Sequence, residues 1–132
     1  MTAKKTILNF SLALFVFLIG GCATLPPDVV RNADYGACPS DYESQVKNLM
    51  KPVLKDPYSA QYSFGTPYKA YFVDGLLGGN KRYFGYGVDV GVNAKNGFGG
   101  YTGEQMYKFF MCNDHIILLD SISESRFTKA EF

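Results

Sequence analysis

The sequence predicts an α+β fold in which one N-terminal helix packs on an antiparallel sheet of about five strands. Two observations lead to this prediction. All six prolines lie at or before position 67, whereas eleven of the fourteen glycines lie between Gly65 and Gly103, which indicates a helical segment followed by a turn-rich sheet. The 132 residues are 47% hydrophobic and 16% aromatic, which is enough apolar material for the core of one domain.

The charge and the metal-binding residue types exclude several functions. Lys and Arg number 13 and Asp and Glu number 12, so the chain has no basic surplus for binding nucleic acid. One His and three Cys are too few for a structural zinc site. We therefore expect no nucleic-acid partner, no metal and no other cofactor.

The first 21 residues are typical of a secretory signal peptide. Lys4 and Lys5 form a positive start, and the apolar stretch 7–19 is shorter than the about 20 residues of a membrane-spanning helix. The segment ends in Leu-Ile-Gly-Gly-Cys, residues 18–22, which resembles the lipobox of bacterial lipoproteins. The resemblance implies that Cys22 carries the lipid and becomes the mature N-terminus. An ordinary cleaved signal with a coincidental cysteine and an uncleaved short anchor are the alternatives.

The residues after the lipobox predict how the rest of the chain is divided. Ala23 stands where an inner-membrane retention signal would have Asp, so the resemblance implies a lipid-anchored protein of the outer membrane that faces the periplasm. Residues 22–36 contain two prolines and no periodicity, which indicates a lipidated tether. The globular domain is expected over 37–120, and residues 121–132 are expected to form a frayed C-terminal tail.

One helix is predicted at the start of the domain. Residues 40–43, Ser-Asp-Tyr-Glu, fit a capping box. Apolar residues then recur at spacings of three and four, so one stripe of the helix faces a core. They are Tyr42, Val46, Leu49, Met50 and Val53. Pro52 predicts a kink or an end between Met50 and Leu54, because proline lacks an N–H and clashes with the preceding turn.

Five strands are predicted from segments that are rich in Tyr, Phe, Val and Ile and bounded by Gly, Pro, Asn or Asp. They are residues 59–64, 68–73, 82–93, 104–112 and 115–120. The connections are too short for helical crossovers, so neighbouring strands are expected to pair antiparallel. Asn113 and Asp114 suit a two-residue hairpin turn because both tolerate positive φ.

The third predicted strand has two contrasting faces. The side chains that point to one face are apolar and are expected in the core: Phe84, Tyr86, Val88, Val90 and Val92. The opposite face is nearly bare: Tyr83, Gly85, Gly87, Asp89, Gly91 and Asn93. We expect aromatic rings from adjacent strands to cover its glycines, with Tyr62, Tyr71 and Tyr107 as candidates, and a bound ligand is the alternative.

Two cysteines remain once Cys22 is assigned to the lipid. Cys38 and Cys112 form an even pair in an oxidising compartment, so a disulfide between them is predicted. In the chain-entropy model this bridge would add roughly 4 kcal/mol of stability. Two buried free thiols are the alternative, because sequence does not show that the two Cα atoms approach each other.

The most distinctive segment is Asn-Ala-Lys-Asn-Gly-Phe-Gly-Gly-Tyr-Thr-Gly, residues 93–103, which its glycines and asparagines predict to be a shaped loop. It resembles a motif of a family of small, uncharacterised bacterial lipoproteins, in which Ser is more frequent at the position of Gly97. Members also carry Leu-Lys-Asp-Pro-X-Ser-Ala, present here at 54–60. The resemblance implies a family but no activity.

Four side chains of this loop are candidates for binding: Lys95, Asn96, Phe98 and Tyr101. The aromatic rings offer a large contact area, and Asn and Lys offer hydrogen bonds. A purely structural role, in which the aromatic rings cover the glycine backbone beside them, is the preferred interpretation at this point.

No catalytic residue is predicted. The loop glycines match neither nucleotide-binding fingerprint, and the single histidine, His115, has no nucleophile to complete a triad. We expect a non-enzymatic interaction or accessory module of the cell envelope, anchored in the membrane by its N-terminal lipid, with an envelope protein or peptidoglycan as partner. The alternative is a periplasmic inhibitor of a cell-wall hydrolase such as lysozyme, since such inhibitors include small β-rich lipoproteins that insert a loop into the enzyme cleft. A small hydrolase of envelope polymers ranks third.

Overall fold

The computed structural model describes residues 24–121 and 125–132. The signal peptide expected over 1–21 and the lipidated Cys22 lie outside these residues. The elements in chain order are helices α1 (Pro27–Asn32) and α2 (Tyr42–Met50), strands β1 (Asp56–Phe64) and β2 (Tyr68–Val73), a 3₁₀ turn at Leu76–Gly78, and strands β3 (Arg82–Lys95), β4 (Gln105–Cys112), β5 (His115–Ser121) and β6 (Thr128–Lys129). No helix within the described residues is long and apolar enough to cross a membrane.

The architecture is an antiparallel sheet of six strands with helices on one face. The order is β5-β4-β3-β2-β6, and β1 pairs with β3 beside β2. Strands β1 and β2 follow one another along the same edge of β3, because Phe64 pairs with Val90 and Tyr68 pairs with Gly87. The expectation of an antiparallel sheet is confirmed. The count of about five strands and one helix becomes six strands and two helices within the described residues.

Helix α2 begins one residue later than the predicted capping box requires. The carbonyl of Asp41 accepts hydrogen bonds from the N–H groups of Ser44 and Gln45, so Asp41 is the N-cap. No side chain caps the helix, because the Asp41 carboxylate accepts instead from the side-chain amide of Gln45 at 3.0 Å. The capping-box prediction is therefore wrong. The predicted end is confirmed, since α2 stops at Met50, two residues before Pro52.

The two chain ends that were expected to be a tether and a frayed tail pack against the sheet. Within the predicted tether, Val30 of α1 and Tyr35 are buried, and the Tyr35 hydroxyl donates to the Val30 carbonyl at 2.7 Å. Beyond Ser121, the fraying prediction is wrong, because Phe127 and Ala130 are buried and β6 pairs with β2. These apolar side chains were missed because their spacing shows no helix or strand periodicity.

An ion pair fixes the C-terminal segment to the sheet. Arg126 donates from Nε to the carboxylate of Asp120 at 2.6 Å, and its backbone N–H donates to the other carboxylate oxygen at 2.7 Å. Asp120 is buried, so this pairing satisfies a carboxylate that would otherwise be costly to remove from water.

The valine face of β3 forms the main core, as the alternation predicts. Val88 and Val90 are fully buried there. The other buried members of the cluster are Val92 of β3, Val46 and Met50 of α2, and Phe109 and Met111 of β4. The shared burial explains why a helix of only nine residues is held in place: its apolar stripe removes the valines from water.

The glycine face of β3 is covered, but not by the predicted tyrosines. A Cβ on Gly87 would collide with the rings of Tyr68 and Phe127, and a Cβ on Gly91 would collide with the Glu104 carboxylate. The three predicted tyrosines all pack with the clusters of the opposite face: Tyr62, Tyr71 and Tyr107. The prediction of aromatic cover thus holds at Gly87, and the identity of the rings was wrong.

The structure places the two remaining cysteines on opposite faces of the sheet as free thiols. Cys38 packs with the valine-face cluster, whereas Cys112 packs with the cluster of Ala70, Phe110 and Phe127. The Cys112 thiol donates to the Phe84 carbonyl at 3.3 Å. Burial raises the pKa of both thiols. This arrangement differs from the predicted bridge, because the sheet separates the two sulfur atoms.

Candidate functional site

The β3–β4 loop, residues 96–104, is an exposed hairpin loop with a defined backbone. Lys95 and Tyr101 pair across its base. Within it the Asn96 N–H donates to the Gly100 carbonyl at 2.8 Å, and the Gly99 N–H donates to the Asn96 carbonyl at 3.1 Å. Gly99 has a φ of 84° and Gly103 a φ of 94°, values that favour glycine. The predicted shaped loop is confirmed.

The side chain of Asn96 fixes this loop from inside. Its Oδ1 atom accepts hydrogen bonds from two backbone N–H groups, those of Phe98 at 2.9 Å and Gly100 at 3.1 Å. An asparagine that bonds to the backbone two residues later is the usual Asx turn. Asn96 therefore has a structural role, and its amide oxygen is already used.

Tyr101 and Lys95 tie the loop to the start of β1. The Tyr101 hydroxyl donates to the Ser59 carbonyl at 3.2 Å, and the Lys95 N–H donates to Ser59 Oγ at 2.9 Å. Ser59 Oγ in turn donates to the Asp56 carbonyl at 2.8 Å. The Lys95 ammonium lies 5.5 Å from the centre of the Tyr101 ring. These contacts connect the loop motif with the motif at 54–60.

Phe98 is the exception within the loop. It is 100% exposed, although the backbone N–H and carbonyl of the nearby Asn96 are both hydrogen-bonded within the loop. An aromatic ring of this size normally finds apolar cover in a folded domain. The backbone N–H of Phe98 is held by Asn96, so the ring is presented to solvent from a fixed backbone.

A shallow depression of about 200 Å³ lies beside the loop. It is open, and both apolar and charged side chains line it. The lining includes Val53, Lys55, Lys95, Thr102 and Tyr107. Tyr58, in the neighbouring β1, is 98% exposed. The end of the sheet that carries the loop therefore displays apolar surface next to lysines.

The four predicted binding residues thus divide into two groups. Asn96 and Tyr101 hold the loop together by hydrogen bonds and Lys95 packs on Tyr101. Neither Tyr101 nor Phe98 covers the loop glycines as the structural interpretation predicts, because a Cβ on Gly97, Gly99 or Gly103 would meet no atom within 4 Å. Ser59, which was not predicted as a site residue, bonds to Lys95 at the end of β3 and to Tyr101 in the loop. The signal for it was present, because Ser59 belongs to the second family motif.

The described residues contain no group of three or more His, Cys, Asp or Glu side chains that could hold a metal ion. His115 is exposed beside α2 in an open depression of about 540 Å³ that Asp41 and Gln45 also line. Asp120, which lies near His115 in sequence, is bound to Arg126.

The two segments that carry the sequence resemblance, residues 54–60 and 93–103, are the segments that meet at this end of the sheet. The resemblance to a lipoprotein family rests on those motifs alone. Comparisons with protein-family models, with curated proteins and with solved structures find no match to this chain.

Proposed function

We propose that this protein is a non-enzymatic interaction module of the bacterial cell envelope that contacts its partner through the β3–β4 loop. The observation that carries the proposal is the fully exposed Phe98 on a loop whose backbone is fixed from inside by Asn96. A side chain on a rigid backbone loses little entropy on binding, so its apolar area contributes more to affinity.

The lipid anchor at Cys22, the outer-membrane location and the periplasmic orientation belong to the same proposal. The direction of β3 supports an anchor at the end of the sheet opposite the loop. The chain enters the described domain near β2, where the Leu25 N–H donates to the Tyr71 hydroxyl at 3.4 Å, and Tyr71 pairs with Phe84 near the start of β3. Lys95 lies at the other end of this strand. At about 3.3 Å per residue, roughly 35 Å separates the entry point from the loop. An anchor at one end would thus leave the loop accessible to a partner in the periplasm.

The test compares two exposed apolar side chains at opposite ends of β3. Phe98→Ala and Leu77→Ala both remove a fully exposed side chain. The free energy of unfolding of each variant should therefore lie within about 0.5 kcal/mol of the wild-type value. In crosslinked envelopes the lipidated wild type should give a defined adduct, Leu77→Ala should retain it, and Phe98→Ala should lose it. Equal amounts of adduct from both variants would contradict a contact between the loop and the partner.

A second candidate function, inhibition of a cell-wall hydrolase such as lysozyme, is favoured by the same projecting aromatic. A fully exposed ring on a rigid loop suits insertion into an enzyme cleft. The purified domain should then lower the rate at which lysozyme clears a suspension of peptidoglycan, and Phe98→Ala should restore that rate. Undiminished lysozyme activity at a large excess of the domain would eliminate this candidate.

A further inference from the structure

Strand β1 leaves one edge of the sheet unpaired. On its inner side it pairs with β3 at Asp56 and from Gln61 to Phe64. Strand β2, which follows it, pairs with β3 on one side and with β6 on the other. Within the described residues no strand pairs with the outer side of β1. Every residue of β1 is at least partly exposed. Unpaired edges of this kind are templates on which another strand can add.

The alternation of hydrogen bonds identifies the groups on this open edge. Gly65 N–H donates to the Asp89 carbonyl at 2.8 Å, so these two residues face each other as a hydrogen-bonded pair. Two residues earlier, Ser63 pairs with Gly91 in the same register and has the same type of pairing. The N–H and C=O groups of Tyr62 and Phe64 therefore point away from β3, towards the open edge.

Helix α2 places positive charge next to that edge. The Lys47 ammonium lies 5.9 Å from the centre of the Tyr62 ring and 5.5 Å from that of Phe64. Lys51, one helical turn later, donates to Asn48 at 2.9 Å. Neither lysine has a carboxylate within 4.0 Å among the described residues. Both lysines line an open groove of about 350 Å³ together with Pro57, Tyr58 and Tyr62.

We propose that this edge binds a short acidic peptide segment in extended conformation, which adds to β1 as a further strand. The outward backbone groups of Tyr62 and Phe64 supply main-chain hydrogen bonds, and Lys47 and Lys51 select acidic side chains at alternate positions. Strand β6 already uses this geometry further along the same edge, where Ala70 pairs with Lys129.

The charge distribution decides between an acidic partner and a second copy of this chain. Pairing β1 with β1 of another copy would bring Lys47 and Lys51 of both copies together, and like charges oppose such pairing. Pro57 and the irregular register between Asp56 and Gln61 restrict regular pairing to Gln61–Phe64, so the bound segment is short. The site is independent of Phe98 and of the proposed loop contact.

The first experiment measures binding of labelled peptides by fluorescence anisotropy at low salt. The probes are a nine-residue peptide of alternating valine and glutamate and its counterpart of alternating valine and lysine. We expect the glutamate peptide to bind at least about tenfold more tightly, and the Lys47→Glu, Lys51→Glu double variant to reverse this preference. A variant with Lys81→Glu and Arg82→Glu makes the same charge change away from the edge and should keep the wild-type preference. Equal binding of both peptides to the wild type would overturn the proposal.

The second experiment locates the peptide by amide hydrogen exchange followed by NMR. The glutamate peptide should slow exchange at the amides of Tyr62 and Phe64, while the Ser63 amide, which already bonds to β3, should be unchanged. Phe98→Ala should give the same result, which separates this site from the loop. An oligogalacturonate probe carries carboxylates without a peptide backbone; equal affinity for it, or peptide binding without slower exchange at the two amides, would overturn strand addition.

Discussion

The two faces of β3 are built in different ways. On the valine face, Val88 and Val90 are fully buried under α2, whose apolar residues come from one continuous segment. On the glycine face, Gly87 is covered by Tyr68 of β2 and by Phe127 from the C-terminal segment. The first face is a core of interlocking side chains, and the second is a backbone surface over which other side chains lie. Substitutions should therefore act by loss of volume on one face and by added volume on the other.

The largest effect is expected on the valine face. Phe109→Ala removes a fully buried ring that packs against Val46 and Val88, and should lower the free energy of unfolding by about 3–5 kcal/mol. The matched control is Phe98→Ala, the same change at a fully exposed position. Urea unfolding followed by circular dichroism measures both. A loss below about 1 kcal/mol at Phe109 would contradict the assignment of this face as the main core.

The next largest loss of stability is expected where a methyl group is added to a glycine on the glycine face of β3. A Cβ on Gly85 would collide with the backbone carbonyl of Met111, which can move only if the strand pairing shifts. A Cβ on Gly91 would meet the carboxylate of Glu104, an exposed and flexible side chain. Gly85→Ala should therefore lower the free energy of unfolding by about 1–3 kcal/mol, whereas Gly91→Ala should change it by less than about 0.5 kcal/mol. Thermal unfolding of the two variants provides the comparison, and equal losses would show that backbone contact does not control the cost.

The same contrast explains what could be predicted from the sequence. The alternation from Phe84 to Val92 and the helical spacing are local patterns, and they predicted the valine face and the burial of Val46 and Met50. The same stripe wrongly included Leu49 and Val53, which are exposed. The cover of Gly87 comes from Phe127, forty residues later, in a segment without periodicity. At the candidate site, the positive-φ glycines predicted the loop. The exposure of Phe98 could not be predicted. The hydrogen bonds of Asn96 hold the loop backbone, so the loop does not need the Phe98 ring to pack against it.

A smaller effect is expected where the glycine face carries a polar contact. The Tyr68 hydroxyl donates to Asp89 at 2.8 Å, so Tyr68→Phe should cost about 1–2 kcal/mol. Tyr83→Phe is the control, since the Tyr83 hydroxyl has no hydrogen bond within the described part of the chain. Similar losses in the two variants, measured by urea unfolding at neutral pH, would argue against a stabilising role for the contact.

This contact also gives stability a pH dependence. Burial, and then the hydrogen bond to Asp89, raises the pKa of Tyr68 in the folded state. As the pH rises, Tyr68 therefore ionises in the unfolded state before it ionises in the folded state. The stability that Tyr68 contributes is complete below about pH 10 and is lost as the pH rises towards its pKa in the folded state. Between neutral pH and pH 11 the wild type should lose more stability than Tyr68→Phe. Parallel pH profiles of the two proteins would contradict the assignment.

The smallest effect is expected from reduction, because Cys38 and Cys112 lie on opposite faces of the sheet. A disulfide between them would add roughly 4 kcal/mol, and its reduction would lower the melting temperature by several degrees. With both thiols free, reductant should leave the melting temperature of a Cys22→Ser variant unchanged. Alkylation of the denatured, unreduced protein should then add two groups by mass. In the folded protein the reaction should be slow at neutral pH, since burial raises the pKa of both thiols and lowers the thiolate fraction. A mass two hydrogens lower, with no alkylation before reduction, would establish the bridge and require the sheet to rearrange around it.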